Sequence, residues 1–87
     1  MITMPSNSKL MNDIGIMLLE EPMSLKEIAD EMDIKEKKAY SLLKKMFKEY
    51  RVNSFKAEDG QRKYRNTEKN AERAMKLKER RAKRAKH

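Results

Sequence analysis

"SLKEIADEMDIKEKKAYSLLKKMFKEY" (residues 24–50) decides the fold of this chain, because its apolar residues fall at helical spacing twice, with a three-residue break between the runs. Before the break, "SLKE" has the capping-box pattern: Ser24 and Glu27 stand three apart, so each side chain can satisfy the other residue's free backbone amide. The spacing predicts a short helix over about 25–32 that buries Leu25, Ile28, Ala29 and Met32. After "MDI", the residues Ala39, Leu42, Leu43, Met46 and Phe47 form the buried stripe of a longer helix, over about 35–49. Lys35, Lys37, Lys38, Lys44, Lys45 and Lys48 occupy the rest of its circumference, with Glu36, Tyr40 and Ser41. One side of that helix faces a core and the other faces something negative.

Toward the N-terminus, Pro5, Ser6 and Asn7 read as a helix start, and Leu10, Ile14, Met17 and Leu18 then recur at spacings of four and three over a helix of about 6–20. Gly15 lies inside it, at a cost of about 1 kcal/mol relative to alanine, and marks the close approach of a neighbouring helix. Pro22 stops the helix, since the residue before a proline avoids the α region.

Toward the C-terminus the period changes from helical to alternating at Tyr50. Two strands are expected, about 51–56 and 61–66, joined through Asp59 and Gly60, whose positive backbone torsions suit a tight hairpin. Thr67 can cap a final segment held by Ala71, Ala74, Met75 and Leu77. Beyond Lys78 no large apolar residue remains, so "KERRAKRAKH" is expected to fray.

Composition narrows the function. A chain of 87 residues makes one small domain whose core absorbs most of its apolar residues. Cysteine is absent and the single histidine is His87, so neither thiolate nor imidazole chemistry is available inside the domain. No glycine-rich phosphate loop, nucleophile motif or metal-ligand spacing is present, and neither enzyme activity nor a cofactor is expected. The longest apolar run, "IGIMLL", is far below the roughly 20 residues of a membrane span. The expected location is cytoplasmic and nucleoid-associated.

Net charge is +8, divided unevenly: residues 1–34 carry −5 and residues 35–87 carry +13. The sign changes between the two helices of the opening stretch. Such asymmetry is the footprint of a polyanion binder, nucleic acid first.

A short helix, a tight turn and a longer helix with a basic outer side make a helix-turn-helix, and the following hairpin makes a wing. The segment "LLEEPMSLKEIADEMDIKEKKAYSLLKKM" resembles the winged helix-turn-helix family of bacterial and archaeal transcriptional regulators, over roughly residues 10–66. The chain departs from the family pattern at Asp33, where glycine is common, and at Lys35, where serine or threonine usually opens the second helix. Asp33 tolerates the left-handed conformation and its carboxylate can cap the helix that follows.

The resemblance implies an α+β, mostly α fold: three helices, a two-stranded β-hairpin wing and a basic C-terminal helix or tail. It divides the chain into an arm (1–7), the winged domain (8–66) and the basic extension (67–87). It makes Ala29 the small residue where two helices cross, Ile34 the buried turn residue, and Ala39, Leu43 and Met46 core positions. Double-stranded DNA is then the expected partner, with Glu36, Lys37, Lys38, Tyr40, Ser41, Lys44 and Lys45 facing a major groove and Lys56, Gln61, Arg62 and Lys63 near the flanking backbone. Arg73, Lys76, Lys78, Arg80, Arg81, Lys83, Arg84 and Lys86 would add sequence-independent attraction to phosphates.

Two other classes remain open on sequence alone. The acidic face of the first two helices suits a protein partner, as in winged helices that serve as interaction modules. The basic tail also suits RNA or a ribosome. Monomer and homodimer are both compatible with the pattern, the latter through Met11 and Leu19 or through the segment 67–78.

Overall fold

The computed structural model describes residues 6–85 of the chain, and the side chains of residues 6–82. Four helices and three strands follow in the order α1 (Asn7–Met17), β1 (Met23–Ser24), α2 (Leu25–Met32), α3 (Glu36–Lys48), β2 (Val52–Lys56), β3 (Arg62–Asn66) and α4 (Glu68–Ala85). Residues 1–5 of the expected arm, and the tail positions Lys86 and His87, lie outside the described residues.

Local chemistry sets the boundaries. The Ser6 hydroxyl accepts from the Lys9 amide at 3.2 Å and starts α1. The helix ends at Met17, three residues earlier than expected. Leu19 and Glu20 close i→i+3 bonds to Ile16 and Met17, a tightened exit that carries the chain toward Pro22. Both bonds of the capping box at α2 are present: the Glu27 amide donates to Ser24 Oγ at 3.3 Å and the Ser24 amide donates to Glu27 Oε1 at 3.0 Å.

Asp33 ends α2 in the left-handed region (φ 55°, ψ 45°). It does not cap α3, as its carboxylate was expected to; the N-cap there is Lys35, which makes no side-chain capping bond. The turn therefore depends on backbone conformation and on Ile34, whose amide reaches back to the Ala29 carbonyl at 3.0 Å while its side chain packs against the core.

The sheet has three strands, not two. β1 pairs antiparallel with β3, Met23 opposite Tyr64 and Ser24 opposite Lys63, giving the order β1-β3-β2. Two residues are too few to show a period, so β1 has no sequence signature. The hairpin between β2 and β3 is also looser than a two-residue turn. Ala57 and Gln61 close it, the Gly60 amide donates to the Ala57 carbonyl at 2.9 Å, and Gly60 but not Asp59 takes a positive φ. Asp59 contributes through its carboxylate, which accepts from the Gln61 amide at 3.1 Å.

The core is the meeting of α1, α2, α3 and the sheet. Ile14, Ile28, Leu43, Met46 and Val52 are its largest fully buried side chains. Helix α4 packs on α1 across Gly15, where an added Cβ would lie 3.2 Å from Asn70 Nδ2 and 3.7 Å from the Ala74 Cβ. Met11 is buried and thus unavailable as a dimer surface in this arrangement. Met75, expected to hold α4 down, is exposed instead; Ala74 and Asn70 are the buried residues, because close helix approach at a glycine admits only small or hydrogen-bonded side chains. The helix continues through the stretch expected to fray, and within it Arg81 donates to Asp13 Oδ1 of α1 at 2.6 Å.

Candidate nucleic-acid interface

The residue types on the outer side of α3 follow from its period. With Ala39, Leu42, Leu43 and Met46 turned inward, Glu36, Lys37, Lys38, Tyr40, Ser41, Lys44 and Lys45 are all exposed. Five lysines against one glutamate leave this helix strongly cationic. Two of its polar groups have local partners. Lys38 Nζ donates to Asn7 Oδ1 at 2.8 Å, and Ser41 Oγ donates to the Lys37 carbonyl at 3.1 Å, so the Ser41 hydroxyl retains its acceptor lone pairs toward solvent.

The wing stands beside this helix. In the β2–β3 register Ser54 lies opposite Tyr64 and Lys56 opposite Arg62, so these four share one face of the hairpin. Tyr40, Leu43, Lys44 and Phe47 of α3, with Ser54, Arg62 and Tyr64 of the wing, line an open groove of about 320 Å³. Arg62 is steadied there by a long hydrogen bond, 3.4 Å, from its guanidinium to Ser54 Oγ.

Phe47 belongs to this groove and not to the core. It is 54% exposed, and Tyr40 is 52% exposed. The period predicts Phe47 as buried because it follows Leu43 by four residues. In the structure that edge of the helix meets the wing across open space.

Lys63 takes the other side of the hairpin. It sits opposite Phe55 and lines a shallow depression with Glu21, Pro22, Phe55, Ala57, Glu58 and Asp59, away from α3. Its charge helps to hold the Glu27 carboxyl below its ordinary value of 4.5, behind the larger effects of hydrogen bonds from the Ser24 backbone and side chain. Arg65 shares this outer face, its guanidinium 5.1 Å from the centre of the Phe55 ring. Gln61 is exposed at the wing tip.

The cations of α4 are not gathered with those of α3. Arg81 is paired with Asp13, and Lys78 edges a depression otherwise lined by Ile16, Met17, Glu20, Glu21, Met23 and Glu31. Arg73 and Lys76 line another with Glu49, Tyr50, Arg51, Lys69, Asn70 and Glu72. Arg80 is exposed; the side chains of Lys83 and Arg84 lie outside the described residues. Sequence reasoning missed Ser54 as a groove residue and Phe47 and Tyr50 as exposed; the alternation of β2, which puts Ser54 on the same face as buried Val52 and so beside α3, was the available signal for the first.

Among the described residues no helix is long and apolar enough to cross a membrane, and no group of three or more histidine, aspartate or glutamate side chains stands close enough to hold a metal ion.

No family model matches the sequence, and no curated protein matches it. Solved structures do share the fold. The chain superposes on a single-site variant of ZitR from Lactococcus lactis with a TM-score of 0.85 at 19% identity, over 99% of this chain and 62% of that one. The adhesin competence repressor AdcR from Streptococcus pyogenes matches with a TM-score of 0.84 at 13% identity, over 88% of this chain and 58% of that one. Wild-type ZitR in complex with DNA matches with a TM-score of 0.70 at 19% identity, over 86% of this chain and 51% of that one. These proteins have the winged helix architecture seen here, and the chain spans about three-fifths of the length of the first ZitR structure.

Proposed function

We propose that this chain binds double-stranded DNA and regulates transcription, with α3 in the major groove and the wing on the flanking backbone. One observation carries the reading: α3 and the wing border a single groove lined by Lys44, Arg62 and Ser54, so a strongly cationic helix and the hairpin form one continuous surface. A duplex presents the complement, anionic backbones on either side of a groove about 12 Å wide that admits an α-helix.

The fold supports the same reading. Among proteins sharing it, ZitR is solved in complex with DNA and AdcR is a repressor. Lysine predominates on α3 and arginine is absent from it, so phosphate contacts outweigh base reading on this helix. The role is non-catalytic and its place is the cytoplasmic nucleoid. If about six phosphates are neutralised, log affinity falls against log salt with a slope of about −5.

The test is an NMR titration of labelled protein with a mixed-sequence duplex at about 0.15 M salt. Amide shifts concentrated at residues 36–44 and 56–62 are expected. Shifts confined to residues 73–85 would mean that α4 alone meets the duplex, and would sink the proposed mode.

A further inference from the structure

Tyr50 is held against its backbone preference. It follows α3 with φ 60°, in the left-handed region, and completes a double helix stop: its amide donates to the Phe47 carbonyl at 3.1 Å, and the Arg51 amide donates to the Met46 carbonyl at 2.8 Å. Glycine is the usual occupant of that position, because a Cβ crowds the following carbonyl. A tyrosine there is an outlier, and burial does not compensate it, since Tyr50 is 84% exposed. Strain kept at an exposed aromatic residue directs attention to function.

The ring stands in a cationic collar. Arg51, Lys69, Arg73 and Lys76 line the same depression, and of the two carboxylates there Glu49 is engaged by Arg51 at 2.9 Å. The converse surface lies elsewhere on the same molecule. Ile16, Met17 and Met23 line a depression of about 270 Å³ rimmed by Glu20, Glu21 and Glu31, with Lys78 at its edge. One site is an exposed aromatic knob set among four cations and two carboxylates, and the other is an apolar hollow set among three carboxylates and one cation.

We propose that Tyr50 and its cationic collar dock into the Ile16, Met17 and Met23 hollow of a second copy of this chain. Tyrosine and arginine are the residue types that dominate interface energies, and opposed charge around the knob sets orientation and rejects wrong partners. The two surfaces are different, so the contact is head-to-tail: each copy offers one of each, and association continues beyond the dimer. Neither surface includes Lys44, Ser54 or Arg62, so the groove between α3 and the wing stays open along such an array. The contact needs no nucleic acid.

Sedimentation of the full chain at low salt, from micromolar to millimolar protein, tests it. Wild type is expected to associate reversibly, less so as salt rises. Tyr50→Gly should unfold at higher temperature, because the backbone strain is gone, yet associate at least about tenfold more weakly. Tyr50→Ala keeps the left-handed backbone and should lose association without that thermal gain.

A double variant, Glu20→Lys with Glu31→Lys, should also be monomeric. Mixed with Tyr50→Gly it should form a one-to-one dimer and nothing larger, since one intact knob then meets one intact hollow. A monomeric wild type, a Tyr50→Gly chain that associates like wild type, or a mixture that stays monomeric would each overturn the proposal.

Discussion

Asn66 Nδ2 donates to the carbonyl of Gly15 at 2.8 Å, joining the last residue of the wing to the last turn of α1 across 51 positions of sequence. Asn66 Oδ1 in turn accepts from Asn70 Nδ2 at 2.9 Å, so three elements are tied by two half-buried bonds. The amide of Asn70 is also the atom a Cβ on Gly15 would meet, at 3.2 Å.

The first prediction follows from that clasp. Asn66→Ala leaves the Asn70 amide and the Gly15 carbonyl without their partner and should cost about 1–3 kcal/mol in urea unfolding. Gly15→Ala should lower stability as well, despite a gain of up to about 1 kcal/mol in helix propensity, because the Asn70 amide is held where the methyl must go. A Gly15→Ala chain that melts higher than wild type would show that α4 can yield.

Asp33 gives the second. Its φ of 55° at the end of α2 is a conformation that glycine adopts without strain. Asp33→Gly should therefore stabilise the domain by about 0.5–1 kcal/mol, the relief of backbone strain exceeding the added chain entropy. Asp33→Val should destabilise it, since a β-branched residue is least tolerant of this region. Thermal unfolding of the two variants against wild type decides the point.

The third concerns pH. Glu27 is held below its ordinary value by the Ser24 backbone bond first, then by the Ser24 hydroxyl and the charge of Lys63. A carboxyl with a depressed folded pKa stabilises the fold above its unfolded value, and that contribution disappears as pH falls through the folded value. Acid titration of stability below about pH 4.5 should thus be flatter in Glu27→Gln than in wild type. The difference is small because the carboxyl is exposed. Ser24→Ala, which removes the cap outright, should cost about 1 kcal/mol at neutral pH.

The fourth separates the wing cations. Arg62 borders the groove beside Lys44, whereas Lys63 lies on the opposite face near Glu27. Lys44→Ala and Arg62→Ala should each weaken duplex binding and each reduce the salt slope by about 1. Lys63→Ala should change the slope by much less. Equal slopes for all three, read by fluorescence anisotropy over a salt series, would contradict this division.

Much of this architecture was legible along the chain. The capping box at Ser24 and Glu27, the stripe from Ala39 to Met46 and the change of period at Tyr50 are each local: residues within one or two turns determine whether backbone groups are satisfied and which side chains share a face. The exposure of seven polar α3 residues follows from the same period. Where reading failed, the deciding contact was between distant segments. Phe47 sits in phase with Leu43 yet faces an open groove, and β1 exists only because β3 lies beside Met23 and Ser24.

Hydrophobic period and capping act over three or four residues, and the helices, the hairpin, the segregation of charge and the winged architecture that these imply are therefore local consequences of the chain. The clasp of Asn66 on Gly15, the turn of Lys63 away from Arg62 and the pairing of Arg81 with Asp13 across 68 positions of sequence come instead from contacts between distant segments. Those outcomes depend on the distance and angle at which whole helices and strands dock. That geometry is set by the packing of all the core side chains together, and no single segment encodes it.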